Sequence, residues 1–317
     1  AQAAAGINSA DLKPGEFIFE PGLSPDGPVV IIVSIPDQRV HVYRNGVEIG
    51  VSTCSTGKPG HTTPSGVFII LQKDKHHHSS TYNNAPMPNM QRLTWRGIAL
   101  HAGNLPGYPA SHGCVRLPRE FSERLFGVTH YGTPVIIADR KSAAGTLQNP
   151  GLLLPKSADK LARKALAKAG TKKLPRDWSE ETVQSVASIL VSGADRKVYV
   201  MRGGRIEFET GIVIKDPGRP LGTHVYALLG RVPGEDFLRW MAFGLKPDPL
   251  GAGGDSVSRL SDETLGRIEL VDHEQALQVG STLQPGTTLV ITDFAASPNT
   301  RTAPDFVVVT ADPEESK

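Results

Sequence analysis

The run Val29-Val30-Ile31-Ile32-Val33, followed by Arg39-Val40-His41-Val42-Tyr43-Arg44-Asn45-Gly46-Val47, decides the fold class. The first five residues are continuously β-branched, as a strand buried on both faces requires, and the second run alternates with period two. Asn45-Gly46 is a two-residue hairpin signal, because a type I′ turn needs positive φ at both central positions. A third strand, Val47 to Thr53, follows and completes a β-meander. Gly66 to Leu71 and Pro134 to Ala138 add strands behind sharp turn signals, and Arg119 to Gly127 spaces Phe121, Leu125 and Phe126 for one face of a short helix.

The opening returns in the second half. Val191 to Gly204 can be laid on Val33 to Gly46 without gaps, and Gly286 to Asp293 has the cadence of Gly132 to Asp139. A period of about half the chain is a duplicated domain rather than a solenoid. The expected fold is therefore mainly β, with a short helix and a long lid loop, then a degenerate second copy of the same β-rich unit. Expected boundaries are an N-terminal segment 1–27, a first domain 28–140, a linker 141–186 with a helix over Ser157 to Gly170, a second domain 187–310 and a tail 311–317. Residues Gln72 to Thr94 show neither period and read as the lid, since long irregular loops in compact domains are mostly functional. Aligned from the shared ends with one gap, Gly266 falls near Gly113 and Arg267 near Cys114, and the second half has no cysteine.

Composition excludes several classes. The 34 basic and 32 acidic residues leave a net charge of +2, so no global field recruits nucleic acid or an anionic membrane. No apolar run approaches the eighteen or so residues of a membrane-spanning helix. The small-residue start Ala1 to Gly6 resembles what remains at a signal cleavage site, which sets an expectation of export to the periplasm or cell envelope.

The chemistry gathers around Ser111-His112-Gly113-Cys114-Val115-Arg116-Leu117 and an upstream His101. A free thiol is only a few per cent thiolate at neutral pH, so a catalytic one needs a base or a lowered pKa. His112 lies two residues before Cys114, and the turn-rich Gly103 to Pro109 segment allows His101 to return beside it. Gly113 lets backbone approach a substrate, giving an oxyanion hole from the amides of His112, Gly113 and Cys114. Arg116 suits a substrate carboxylate. Taken alone, His112 and Cys114 read equally well as a packed thiol and a satisfied histidine. No ligand pair has zinc-module spacing, so neither metal nor cofactor is expected, and His76-His77-His78 read as a polar loop tip. Cys54 and Cys114 are in principle one disulfide, although Cys114 sits where a free thiolate fits.

The full string, with His101-Ala102-Gly103, Ser55-Thr56-Gly57-Lys58-Pro59 and Thr63-Pro64-Ser65-Gly66-Val67-Phe68, resembles the YkuD-type L,D-transpeptidases that crosslink bacterial peptidoglycan. The resemblance covers Val29 to Asp139, about a third of the chain, and implies a mostly antiparallel β-sandwich with a small helix. It implies that Cys114 attacks the carbonyl after the L-centre of a diamino acid in a donor stem peptide, releasing D-alanine and leaving a thioester that an acceptor amine resolves. It implies His101 as general base and His112 as an orienting group; where some relatives carry a hydroxyl stands Ala102, which suffices if a backbone carbonyl orients the base. Tyr82, Asn83, Met87 and Trp95, with Arg116 and Ser111, are the expected substrate contacts. The acceptor is left open between 3-3 and 1-3 crosslinks and attachment of an outer-membrane protein, and a role in cell shape and acylation by carbapenems are expected. The competing readings are a cysteine peptidase or carboxypeptidase acting on stem peptides, and a non-catalytic wall-binding protein.

Overall fold

The computed structural model of the chain describes residues 11–80, 83–94, 96–138, 145–148, 186–202, 205–222, 224–231, 238–244, 263–293, 295–296, 301–302, 306–307 and 309–310. The architecture is mainly β, with several sheets. It divides into two compact units, residues 1–140 with 310–317 and residues 141–309. The helix expected over Ser157 to Gly170 lies outside the described residues.

The first unit opens with β1 (Phe17–Phe19), β2 (Val29–Ser34), β3 (Arg39–Arg44) and β4 (Val47–Thr53). Every residue of Val29 to Val33 is buried, as the β-branched run requires. Asn45 and Gly46 both have positive φ, 50° and 81°, so the β3–β4 hairpin turns as the dipeptide dictates. Then come β5 (Gly66–Ile69), β6 (Gln72–Asp74), β7 (Met90–Arg92), β8 (Ala99–Ala102), β9 (Val115–Leu117), helix α1 (Arg119–Val128) and β10 (Pro134–Ala138). One sheet runs β1-β4-β3-β2-β10-β5 and ends on a short strand, Val309–Thr310; a second runs β6-β7-β8-β9. Pairing is mostly antiparallel, with β10 parallel to β2 and β9 parallel to β8.

The second sheet positions the site. Across paired strands, residues opposite one another share a face and alternate along each strand. One face carries Gln91, Leu100, Val115 and Leu117, all fully buried, and α1 packs over it with Phe121 and Leu125. Thr129 at the helix end donates to Gln91 (2.7 Å), and Lys73 Nζ reaches the carbonyls of Phe126 and Thr129, both at 2.7 Å, serving the C-terminal carbonyls the helix leaves open. Burial holds the Lys73 ammonium down at about 8. The other face is left for chemistry.

The segment between β6 and β7 departs from the expected irregular loop. It is a drawn-out hairpin: Asn89 N–H donates to Lys75 O, Met87 N–H to His77 O and Ser79 N–H to Ala85 O, with a bridge between His78 and Pro86. Asn83 and Asn84 turn with positive φ (45° and 54°), a side chain that tolerates the left-handed region standing in for glycine. The histidine run is thus on one arm of the hairpin, not at its tip. Proline and histidine interrupt the period-two pattern, which hides the arms from the sequence.

The second unit contains β11 (Gly145–Gln148), β12 (Ser188–Ser192), β13 (Lys197–Arg202), β14 (Arg205–Ile214), β15 (His224–Arg231), β16 (Leu238–Gly244), β17 (Ile268–Leu270), α2 (His273–Thr282) and β18 (Thr288–Thr292). Its core is formed by Ile189, Val191, Val200, Tyr226, Trp240 and Ile291 with their neighbours. Asp272 caps α2 by accepting from the amides of Glu274 and Gln275, an arrangement worth about 1 kcal/mol.

The first unit's order β4-β3-β2-β10-β5 recurs as β14-β13-β12-β18-β15, with the same parallel pair. Registers coincide. Val33 pairs with Val40 and Ile137, and Val191 with Val198 and Ile291. A register shift follows Val42 in one unit and Val200 in the other, and the turns of the first hairpins place Gln38 and Arg196 at the same φ of 51°.

Candidate active site

Cys114 directly precedes β9. The parallel register sets Leu100 against Val115 and His101 against Arg116, so Cys114 falls opposite Ala99. Cys114, Arg116 and His101 therefore project from one face, and Arg92, opposite Ala99, and Gln72, opposite Arg92, extend that face across β7 and β6. The intervening Gly103 to Pro109 excursion brings His101 back beside the thiol by strand pairing.

His101 is buried, and its Nδ1 lies 2.8 Å from the carbonyl of Ala102. A carbonyl only accepts, so Nδ1 carries the proton and Nε2 keeps its lone pair. A backbone carbonyl thus orients this imidazole, with no hydroxyl needed at Ala102 to do so. Burial pushes the imidazole down to about 4, against a smaller upward pull from the Ala102 carbonyl. His130 is held at about 4 in the same way, with Nδ1 2.7 Å from Tyr131 O.

These two histidines give the domain an acid limit. Each binds fewer protons folded than unfolded once the pH drops below the ordinary value of 6.5, so its contribution is complete above that pH and drains away as pH falls towards 4. The loss is on the order of a few kcal/mol. Urea unfolding of the chain is expected to show a first-unit midpoint falling steeply between pH 6.5 and 4.5, with a shallower slope in His130→Gln; a flat midpoint over that range contradicts it.

Cys114 is half-buried, free, and donates from Sγ to Gly97 O at 3.2 Å. Burial raises its pKa above the ordinary 9.0, opposed by a backbone hydrogen bond from Ala99 and by Arg116 and Arg92. The resting pair is therefore a neutral thiol and a neutral imidazole, and the thiolate forms only as the proton moves to a base. Cys54 is also free, but burial pushes it up to about 12, so no disulfide joins the two and Cys54 is chemically inert.

The turn that aims Cys114 is built by its neighbours. Gly113 has φ 111°, and a Cβ there would lie 2.7 Å from Ile98 Cδ1. Ser111 is buried; its hydroxyl donates to Cys114 O (2.5 Å) and accepts from Gly113 N–H (3.1 Å). The turn uses the donor and one acceptor position of Ser111, so the hydroxyl shapes the backbone around Cys114. The same bond engages the Gly113 amide, one of the three expected to face a substrate oxygen.

His112 is exposed, its ring 4.8 Å from that of His61 in a tilted edge contact. Arg116 lays its stem over Gly103, where a Cβ would meet Cγ at 2.8 Å. Asn83 is exposed at the hairpin turn and Met87 is half-buried in its ladder. Tyr82 and Trp95 lie outside the described residues. A cavity of about 170 Å³ opens between the hairpin arm and α1, lined by Lys75, His76, His77, His78, Arg119 and Glu123 among others.

Residues 28–137 match the family model of YkuD, the L,D-transpeptidase catalytic domain. The matched span lies within the first unit and covers about a third of the chain. The probable L,D-transpeptidase 3 of Mycobacterium tuberculosis is 32% identical to the chain over 120 residues, which cover 33% of this chain and 43% of that protein. The chain thus spans less than half the length of this curated relative. Among solved structures, an L,D-transpeptidase from Mycobacterium tuberculosis H37Rv is 30% identical, covering 34% of this chain and 57% of that one with a TM-score of 0.33. One from Stackebrandtia nassauensis is 26% identical, covering 35% and 56%, also at 0.33.

The second unit shows what stands at the YkuD domain's positions there. Thr53 pairs with Arg39 as Gly211 pairs with Lys197, and Gly66 with Ile137 as His224 with Ile291, so residues 54–65 and 212–223 correspond without a gap. Ser55 bridges Arg116 as Val213 pairs with Glu269. Arg267 therefore occupies the position of Cys114. It is buried, and its guanidinium donates to the carbonyls of Lys215 (3.0 Å), Pro220 (3.1 Å), Asp216 (2.8 Å) and Arg219 (2.5 Å). From the other side Asp293 accepts from the amides of Leu221 (2.6 Å) and Gly222 (2.8 Å). The loop beside the nucleophile's position is closed around a cation.

Sequence reasoning missed Lys58, His61, Arg92 and His77. Arg92 donates to Gln72 (2.8 Å) and approaches His77 Nε2 at 3.5 Å, tying the hairpin arm to the catalytic face. Lys58 and His61 lie beside a string already singled out, Ser55 to Pro59; its pairing with Ser111, through Gly57, was not legible without the fold.

Proposed function

We propose that the first unit is the catalytic domain of a peptidoglycan L,D-transpeptidase acting in the cell envelope. The observation that supports this most is the shared face of Cys114 and His101, with the imidazole's proton fixed on Nδ1 by the Ala102 carbonyl. On this reading His101 Nε2 takes the Cys114 proton as Sγ attacks the donor carbonyl, and returns it to the departing D-alanine amine. The amides of His112 and Cys114 face the developing oxyanion. An acceptor amine then attacks the thioester, His101 takes its proton, and the thiol is regenerated. The hairpin between β6 and β7 serves as the lid that keeps water from the thioester while an amine enters. Asn83 and Met87, with Tyr82 and Trp95, are its proposed substrate contacts. His112 supports the thiol from the exposed side. Carbapenems are expected to acylate Cys114, since the lactam carbonyl resembles the donor's.

The second unit is proposed as a non-catalytic version of the same domain, since Arg267 replaces the nucleophile. Boundaries near 28–140 and 187–310 go with this reading.

The test is product analysis by mass spectrometry after incubating the purified chain with tetrapeptide muropeptides. Crosslinked dimers lacking one D-alanine are expected; hydrolysed tripeptides alone would favour a carboxypeptidase. His101→Gln is expected to slow D-alanine release about 10²- to 10³-fold while leaving the thermal midpoint within a few degrees. A variant within threefold of wild type would remove His101 from the role of base.

A further inference from the structure

Four positively charged or protonatable groups gather on one side of Cys114: Lys58, His61, His112 and Arg116. Lys58 N–H donates to Ser111 O at 3.0 Å, and Gly57 is bridged to Ser111. A Cβ on Gly113 would lie 4.0 Å from His61 O, so loop 57–63 runs alongside the nucleophile's turn. The loop is fixed by the Thr63 hydroxyl, which donates to Gly113 O and accepts from Gly57 N–H, both at 2.8 Å. Gly57 has no room for a side chain, because a Cβ would sit 2.0 Å from His61 O. The loop is thus built to hold its residues against Gly113.

Among the described residues, neither Lys58 nor Arg116 forms an ion pair. Desolvation by neighbouring atoms first, then Lys58, His61 and Arg116, push the His112 imidazole below its ordinary value, and no acid opposes them. Like charges held together by a rigid loop cost free energy unless an anion joins them.

The second unit acts as an internal control. Lys58 corresponds to Asp216, His61 to Arg219 and Arg116 to Glu269. There Arg219 pairs with Glu263, its Nη2 at 3.1 Å, and Glu269 pairs with Lys215. Where the nucleophile is absent, acids have entered the cluster and neutralised it. Where the nucleophile is present, the cations are left open.

We propose that Lys58, His61 and Arg116 form an anion subsite beside Cys114 that holds a free carboxylate of the donor stem peptide. The proposal rests on the donor reading above and gives its site a chemical preference. Two carboxylates have the right chemistry, that of the departing D-alanine and that on the diamino acid.

The experiment measures D-alanine or D-alaninamide release from three synthetic tetrapeptide donors: the free acid, the C-terminal amide, and the amide at the diamino acid carboxylate. Wild type is expected to show a KM about tenfold higher for one amide than for the acid, and that amide identifies the carboxylate held. Lys58→Gln is expected to raise KM for the acid about tenfold, leave KM for that amide unchanged, and keep kcat within about twofold. The Lys58 amide that pairs with Ser111 is retained in this variant. Equal KM shifts for acid and amides, or none, would overturn the subsite. Release from no donor by wild type would overturn the donor reading and the subsite with it.

Discussion

Cys114→Ala is expected to abolish D-alanine release and crosslink formation, lowering both by at least about 10³-fold. The sulfur projects from the same sheet face as His101, and the second cysteine, Cys54, is buried with its thiol held at about 12. Among the described residues, Arg267 stands at the corresponding position of the second unit and offers no thiol to take over. The substitution removes one half-buried sulfur bonded to Gly97 O and to the Ala99 backbone, weak sulfur contacts both, so the fold should survive it with a loss of about 1 kcal/mol. Activity in a steady-state release assay, paired with circular dichroism melting, separates chemistry from folding. Residual turnover above one per cent of wild type in a folded variant would deny Cys114 its role.

Arg267→Ala should have the opposite signature. It leaves the carbonyls of residues 215, 216, 219 and 220 without the donor they share, and takes a cation away from Glu263. The loop itself is exposed, so water can replace part of the lost bonding, and the expected loss is about 1–3 kcal/mol in all. The second unit is expected to melt well below its wild-type temperature, while acylation of Cys114 proceeds at the wild-type rate in the cold. Arg267→Lys should recover little, since one ammonium cannot reach four diverging carbonyls as a planar guanidinium does. Unaltered stability in both variants would mean that the buried guanidinium does not hold the loop.

The two halves of the chain were legible in the sequence to different depths. Val29 to Val33 and the Asn45-Gly46 turn carry strong local signals, and the structure places a buried strand and a type I′ hairpin on them. The match of Val191 to Val33 and Ile291 to Ile137 was readable because repeated registers demand repeated residues at buried pairs. The hairpin between β6 and β7 was hidden, since its arms are held by backbone bonds that proline, histidine and asparagine do not advertise. In the site, Cys114 and His101 were singled out from their residue types, while the question of what orients His101 at Ala102 came only with the family resemblance. The part Ser111 plays in its own turn was not legible: a hydroxyl three residues before a cysteine looks alike in sequence whether it faces substrate or folds back on its own turn. Lys58 and His61 were invisible as site residues because only the bridge from Gly57 to Ser111 brings them beside Cys114.

The central claim is that Cys114 is acylated by a stem-peptide donor and passes the acyl group to an amine. The most direct measurement is mass spectrometry of peptides from the chain quenched in acid during turnover of a tetrapeptide donor. The account predicts the fragment containing Cys114 heavier by the donor less D-alanine, with the adduct removed by hydroxylamine and lost faster when an acceptor amine is supplied. Turnover with no adduct on Cys114, or an adduct on another residue, would contradict it.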